Sequence, residues 1–373
     1  MKKHILIQFL LILCLSCTDK EHESVTTQER LPKTTIINKN NEIFSAFPSF
    51  EIFNGTYKAR FFTRLNSSHI DTLGGEVIKY SLDSGNNWFI KSEQIVNGIK
   101  GFKKPFFNTY PIGWKYIDKI HKDSLLNEGF TVLDLDSSSN LVAYMSRDLI
   151  KVKFNDEGVE VQDTIRGPDF MSGIIGLPNF TGHLKKDNIL LMSIYGKRYG
   201  SNLDEPLIMR SVDNGTNWSF VPILNEIPLN IGFNEVAIEV NSEGNILALM
   251  RSTSNDYLYQ STSYDNGLSW TLPHKTNILG YPASIIKLDS GNLLCTYGYR
   301  NEPIGIRASV SNDDGLTWEV DNEFIIRKDG FGYGANTGYP QSIEYEYGKI
   351  ATVYYITDST NVTSVEMTKW EIK

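Results

Sequence analysis

From about Lys33 onward, short apolar runs of strand length alternate with turns of Gly, Asn, Asp and Ser, and no stretch of helical period interrupts them. One hairpin pattern recurs six times. Its copies are Phe50 to Phe62 turning at Asn54-Gly55, Leu133 to Met145 at Ser137-Ser138, and Leu184 to Tyr195 at Lys186-Asp187. Then follow Ile238 to Met250 at Ser242-Glu243, Ile286 to Tyr297 at Asp289-Ser290, and Ile343 to Tyr355 at Glu346-Tyr347. The turn centres are separated by 84, 49, 56, 47 and 57 residues, so a unit of about fifty residues repeats and the first interval carries an insertion. The insertion, Val96 to Asn127, holds Lys103-Lys104-Pro105 and Tyr110-Pro111 and reads as a long loop shaping a rim.

A second pattern follows four of these hairpins by about one strand. Ser81 to Trp88, Ser211 to Trp218, Ser263 to Trp270 and Ser311 to Trp318 all read Ser-x-Asp-x-Gly-x-(Asn/Ser/Thr)-Trp. Gly supplies the positive φ of a tight turn, Ser and Asp bond the turn's own amides, and Trp is there to be buried. One copy means a turn; four mean a repeat of four-stranded meanders. Six such units predict an all-β, six-bladed β-propeller over residues 33–373, in which stacking around an axis protects the sheet edges and the early strand Thr34 to Asn38 completes the last blade.

The net charge of −8 argues against nucleic acid or an anionic membrane surface as the main partner, while leaving room for a local basic pocket. Met1-Lys2-Lys3 and the apolar run Ile5 to Leu15 read as a secretory signal, and Leu15-Ser16-Cys17 resembles a bacterial lipobox. Residues 1–17 are thus expected to be a lipoprotein signal with Cys17 lipidated, and 18–32 a flexible tether. An exported lipoprotein of the outer membrane or cell surface, on its outer or its periplasmic face, follows, held to the membrane by that anchor only. Cys295 is then the one thiol of the mature chain, which excludes a disulfide framework. No clustered His and carboxylate ligands call for a metal, no cofactor is expected, and a monomer is expected.

The four Ser-x-Asp-x-Gly-x-x-Trp motifs resemble the Asp boxes (BNR repeats) of the sialidase superfamily, and with the six hairpins the resemblance covers nearly all of residues 33–373. The resemblance implies that the boxes are structural, so Asp83, Asp213, Asp265 and Asp313 take no catalytic role. It also implies a glycosidase with a Tyr nucleophile relayed by Glu, an Asp acid/base and three Arg on the substrate carboxylate. The chemistry has reasons. A carboxylate beside the anomeric carbon repels an anionic nucleophile, which favours a neutral phenol, and guanidinium forks match a carboxylate.

Carried onto this chain, Asn234-Glu235 followed by the strand ending in Arg251-Ser252 is similar to the family's Asn-Glu and Arg-Ser, implying Glu235 as the Tyr partner and Arg251 as a clamp. Gly338-Tyr339-Pro340 opens the last hairpin where the family has its nucleophile, implying Tyr339. Arg300 and Arg307 both stand where a further clamp belongs. The loop from Arg64 to Asp71 is where the family has its acid/base; Asp71 matches by position, and His69 offers the same proton transfer nearer neutral pH. His183 enters the third unit at a matching place and lines the expected pocket. One departure stands out. Ser45-Ala46-Phe47-Pro48 occupies the place of Phe-Arg-Ile-Pro, so Ala46 replaces a clamp Arg, with Arg60 or Arg64 as possible substitutes.

The sequence therefore favours an exo-acting, retaining hydrolase that releases a terminal acidic sugar from a glycan. A lyase or a hydrolase of a non-sialic sugar, and a glycan-binding propeller without turnover, remain as alternatives. Incorporation of labelled palmitate into the wild type in a bacterial host, and its absence from Cys17→Ser, checks the expected anchor.

Overall fold

The computed structural model describes residues 32–65, 74–90, 107, 109–135, 139–154, 159–176, 180–224, 230–332 and 336–372. The lipobox with Cys17, the loop residues His69 and Asp71, the Lys103-Lys104-Pro105 segment and the Ser137-Ser138 turn lie outside the described residues.

The protein is all-β. After β1 (Lys33–Lys39), the first meander runs β2 (Phe44–Phe53), β3 (Thr56–Arg64), β4 (Gly74–Ser81), β5 (Phe89–Ile90), hydrogen-bonded in that order. Asn54 and Gly55, with φ of 46° and 75°, make the two-residue turn between β2 and β3. A primed turn of this kind matches strand twist.

The second unit departs from the expected meander. Part of the predicted loop forms β6 (Thr109–Pro111), β7 (Trp114–Asp118) and the short helix α1 (Lys122–Asn127). With β8 (Val132–Asp134), β9 (Leu141–Met145), β10 (Asp148–Phe154) and β11 (Val159–Arg166) these make two three-stranded sheets, β11-β10-β6 and β7-β9-β8. The crook between the two sheets is bridged by Ile112 N–H to Asp148 O (3.0 Å) and Ser146 N–H to Gly113 O (2.7 Å). The described part of the insertion therefore gives each of the two sheets a strand, with Tyr110, Trp114 and Ile117 half-buried.

In the third unit the innermost position is shared. Both β12 (Met171–Gly176) and β13 (His183–Lys186) pair with β14 (Ile189–Arg198), which continues to β15 (Asp204–Ser211) and β16 (Ser219–Pro222). The fourth and fifth units are regular meanders. They comprise β17 (Phe233–Val240), β18 (Ile246–Ser252), β19 (Tyr257–Ser263), β20 (His274–Leu279), then β21 (Ala283–Lys287), β22 (Leu293–Tyr299), β23 (Gly305–Ser311), β24 (Phe324–Arg327). The last unit joins β25 (Gly338–Glu346), β26 (Lys349–Thr357) and β27 (Thr363–Glu371) to β1, so the predicted early strand does complete it.

Cores lie between units rather than within them. Phe50, Phe61, Val353 and Met367 fill the space between the last and first, and Leu294, Ile306, Ile350 and Tyr354 that between the fifth and last. Leu249, Leu293, Cys295 and Tyr297 join the fourth and fifth, Ile208, Phe233 and Ile246 the third and fourth, and Leu149, Met171 and Leu207 the second and third. The sheets of the third, fourth, fifth and last units thus bury both faces, which is why their strands read as nearly continuous apolar runs.

All four Asp boxes form the same knot at the end of a third strand. In each, Ser donates to Asp Oδ1 at 2.7–2.9 Å, the Gly N–H donates to Ser Oγ at 2.8–2.9 Å, and the N–H four residues past the Asp donates to its Oδ1. The Gly is obligatory at Gly315, where φ is +89° and a Cβ would stand 2.0 Å from Leu247 Cδ2. Bonds from the Asn87 and Asn217 N–H groups hold the carboxyls of Asp83 and Asp213 at about 2, below the ordinary 3.8, and the Ser269 hydroxyl does the same for Asp265. A folded value below the unfolded one gives stability present above pH 3.8 and lost as pH falls through about 2. Urea midpoints are accordingly expected to drop across that window, and to drop less steeply in Asp213→Asn.

Candidate active site

Three inner strands carry the same irregularity at the same place. Pairing slips between Ala46 and Ser49 in β2, between Asn234 and Ala237 in β17, and between Gly338 and Gln341 in β25. Inside the slips stand Phe47, Glu235 and Tyr339 with φ of 57°, 47° and 48°. Left-handed backbone at bulky residues costs on the order of 1–3 kcal/mol each and persists only where the surroundings impose it. Such a bulge turns a side chain that would face a neighbouring sheet toward the strand's end. All three side chains line one cavity of about 680 Å³.

Within it Tyr339 Oη donates a hydrogen bond to Glu235 Oε1, and Arg251 Nη1 donates to Glu235 Oε2 at 2.8 Å. Glu235 and Tyr339 are 5% and 8% exposed, so the bond between them is shielded from water, while the Arg251 side chain is partly exposed. The Tyr339 ring stands edge-on to Phe47 (4.9 Å) and stacks on Tyr355 (5.8 Å). Burial first, then the charge of Glu235, push the Tyr339 phenol well above its ordinary value, so at rest it keeps its proton. Burial opposes the Arg251 charge, yet Glu235 beside it leaves Arg251 above its usual value. Asn234 ties the β17 bulge to its neighbour through a 2.8 Å bond to Asp204 Oδ2.

Arg64, Arg251 and Arg300 also line the cavity, against the single carboxylate of Glu235 among its described lining residues. A basic pocket thus sits inside an acidic chain. Arg300, just past β22, donates from Nε to Thr337 O at 3.1 Å. Arg307 does not reach this site. It pairs with Glu323, over the Tyr299 ring, because its side chain faces β24. Arg60 pairs with Glu76 at 3.1 Å and does not line the cavity. Ala46 is 1% exposed in the core between the last and first units, and the residue that its strand gives the cavity is Phe47.

His183 lines the cavity beside the rings of Phe107 (4.6 Å) and Tyr110 (5.9 Å), and burial, then Arg60, push it down to about 3. It is a neutral imidazole at neutral pH. His69 and Asp71 lie outside the described residues. The cavity lining also includes Phe47, Trp114 and Tyr195, to which the sequence assigned no role. For Phe47 a signal existed, since Phe47-Pro48 and Tyr339-Pro340 share an aromatic-Pro pair at corresponding bulges. Among the described residues no group of three His, Cys, Asp or Glu could hold a metal ion.

Removing one partner of a shielded ion pair strands the other's charge, which costs about 3 kcal/mol or more. Arg251→Met is expected to lower unfolding stability by that order in urea titrations. The double variant with Glu235→Gln should lose clearly less than the sum of the two single losses.

A model of the BNR repeat-like domain matches residues 166–352, half of the chain. No curated protein matches the chain in sequence. Among solved structures it is similar to a protein of unknown function from Dyadobacter fermentans, with 20% identity, a TM-score of 0.72, and 91% of this chain and 98% of that one covered. It is also similar to a Hadza microbial sialidase (16% identity, TM-score 0.55, 88% of this chain and 66% of that one). A leech intramolecular trans-sialidase, complexed with 2,7-anhydro-Neu5Ac, matches at 14% identity and a TM-score of 0.56, over 90% of this chain and 70% of that one. The chain therefore spans about two thirds of the length of those two enzymes, and at such identities what is shared is the fold. The family model over half of the chain, taken with the four Asp boxes, shows that the chain belongs to the BNR repeat-like family, and the two sialidase structures share its fold.

Proposed function

We propose that the six units are the blades of a six-bladed propeller with the cavity at one mouth of its axis, and that the protein is an exported, lipid-anchored exo-glycoside hydrolase. Its substrate is a glycan ending in an acidic sugar. The observation that carries this reading is the bonded series Tyr339–Glu235–Arg251, assembled from two units on strained bulges inside a basic cavity.

In this mechanism Tyr339 Oη attacks the anomeric carbon as its proton passes to Glu235 Oε1, so that no free phenolate has to approach the sugar's carboxylate. Arg251 stabilises Glu235 and, with Arg300 and Arg64, faces the acid group. The loop acid, Asp71 or else His69, protonates the departing oxygen and then draws the proton from the water that cleaves the tyrosyl glycoside, while Glu235 returns its proton to the leaving Tyr339 Oη. Retention of configuration follows from the two displacements. Phe47 and Tyr355 hold the phenol ring in line.

One observation favours a second reading, elimination beside a uronate carboxylate. His183 lines the same cavity as Tyr339, so an imidazole and a phenol stand at one site, with burial keeping that imidazole a weak base until substrate binds.

The test is turnover of aryl glycosides of sialic acid, related keto-acid sugars and uronic acids by wild type, Tyr339→Phe and Glu235→Gln. Hydrolysis is expected in the wild type, with kcat lowered on the order of 10²–10⁴-fold in each variant. An unsaturated, ultraviolet-absorbing product would replace hydrolysis by elimination. Binding that survives Tyr339→Phe, with no substrate consumed by any form, would leave only a glycan-binding role.

A further inference from the structure

Arg251 and Arg300 come from different sheets, on β18 and just past β22, and two guanidiniums sharing a shielded cavity repel each other. Between their sheets lies Tyr281, in the link from β20 to β21. The Arg251 Cζ stands 4.2 Å from the centre of its ring, and the Arg300 Cζ stands 4.6 Å from the same centre. The negative face of an aromatic ring attracts a guanidinium, and more strongly where water is excluded.

The ring is not free to move. It packs on the core that joins the fourth and fifth units, and the Tyr281 N–H donates to Gly298 O at 2.8 Å. Three backbones close on this point. A Cβ at Gly298 would stand 2.7 Å from Tyr281 O and 2.9 Å from Gly338 Cα, and one at Gly280 would stand 2.7 Å from Gly298 O. Gly338 is the residue before Tyr339, so the strand that presents the phenol is seated against the link that presents Tyr281. No side chain could be added at these glycines without separating the two.

We propose that Tyr281 positions Arg251 and Arg300 as one two-armed receptor for the substrate's acid group, in a site whose first inner strand gives Phe47 instead of a cation. Each arm is fixed a second time, Arg251 by Glu235 and Arg300 by Thr337 O. One planar carboxylate is the group such a pair fits, and its binding relieves the repulsion between the arms. This rests on the reading of the cavity as an acidic-sugar site.

The experiment titrates N-acetylneuraminate and glucuronate calorimetrically into wild type, Tyr281→Leu and Tyr281→Phe, with thermal unfolding recorded for each. Tyr281→Leu keeps an apolar filler but loses the ring face, and is expected to bind the preferred acid about tenfold more weakly. Tyr281→Phe keeps the face and should retain the affinity. Should Tyr281→Leu not fold, Tyr281→Met takes its place and must show the same loss. Leu or Met variants that bind like the wild type overturn the proposal, as does a Phe variant as weak as Leu. If the wild type binds neither acid, the acidic-sugar reading itself falls and takes this proposal with it.

Discussion

The hydrogen bond from Tyr339 to Glu235 joins the last unit to the fourth, and the rest of the molecule can be understood as what holds it in place. Neither group would be stable there alone. A buried carboxylate without a partner would be driven neutral, and a buried phenol without an acceptor would lose the bonds it makes in water. Arg251 on the second carboxylate oxygen completes the series, so the charge in the cavity is balanced where the phenol's proton must go. Each of these side chains reaches its place through backbone that unconstrained strands would avoid.

That backbone cost is met by the packing between sheets. The bulges at Phe47, Glu235 and Tyr339 lie on inner strands whose neighbours, Phe50, Val236 and Tyr355 among them, are buried almost completely. Interiors packed this closely convert a local preference for extended backbone into a small term beside the loss of several apolar contacts. The outer turns do the opposite work. In the Asp boxes every strained residue is Gly or a small polar residue, and the Ser–Asp–Gly bonds that close each turn stay within eight residues of chain. Each knot is thus closed locally, with Asn266 and Asp314 bonded in addition to neighbouring units, whereas the cavity is held collectively.

The cavity also shows how an acidic protein can receive an anion. Three guanidiniums face one carboxylate, while most acidic groups of the chain lie elsewhere, many of them in surface turns. Within a shielded space the local balance outweighs the distant total, because solvent screens separated charges far more than adjoining buried ones. Phe47 and Trp114 make part of the same wall apolar. Recognition here combines a cationic side with an aromatic one.

Much of this was legible in the chain itself. The period of about fifty residues and the Ser-x-Asp-x-Gly knots follow from short-range rules that act wherever the residues occur, and the surplus strand β1 could be matched to a last unit that otherwise has three strands. Asn234-Glu235, Tyr339-Pro340 and Arg251 could be singled out because they resemble motifs of the sialidase superfamily, and the structure brings Tyr339, Glu235 and Arg251 together. The structure decided what those rules leave open. It separated Arg300 from Arg307, whose partner Glu323 lies on the far side of its strand, and made Ala46 a core residue with Phe47 in the cavity. It turned part of an apparent loop into β6 and β7, and it brought Tyr281 against two arginines from different sheets. A turn is fixed by bonds between residues a few positions apart, so its sequence suffices. A site built from residues as far apart as 235 and 339 exists only once the sheets between them have packed, since nothing in either segment specifies the distance to the other.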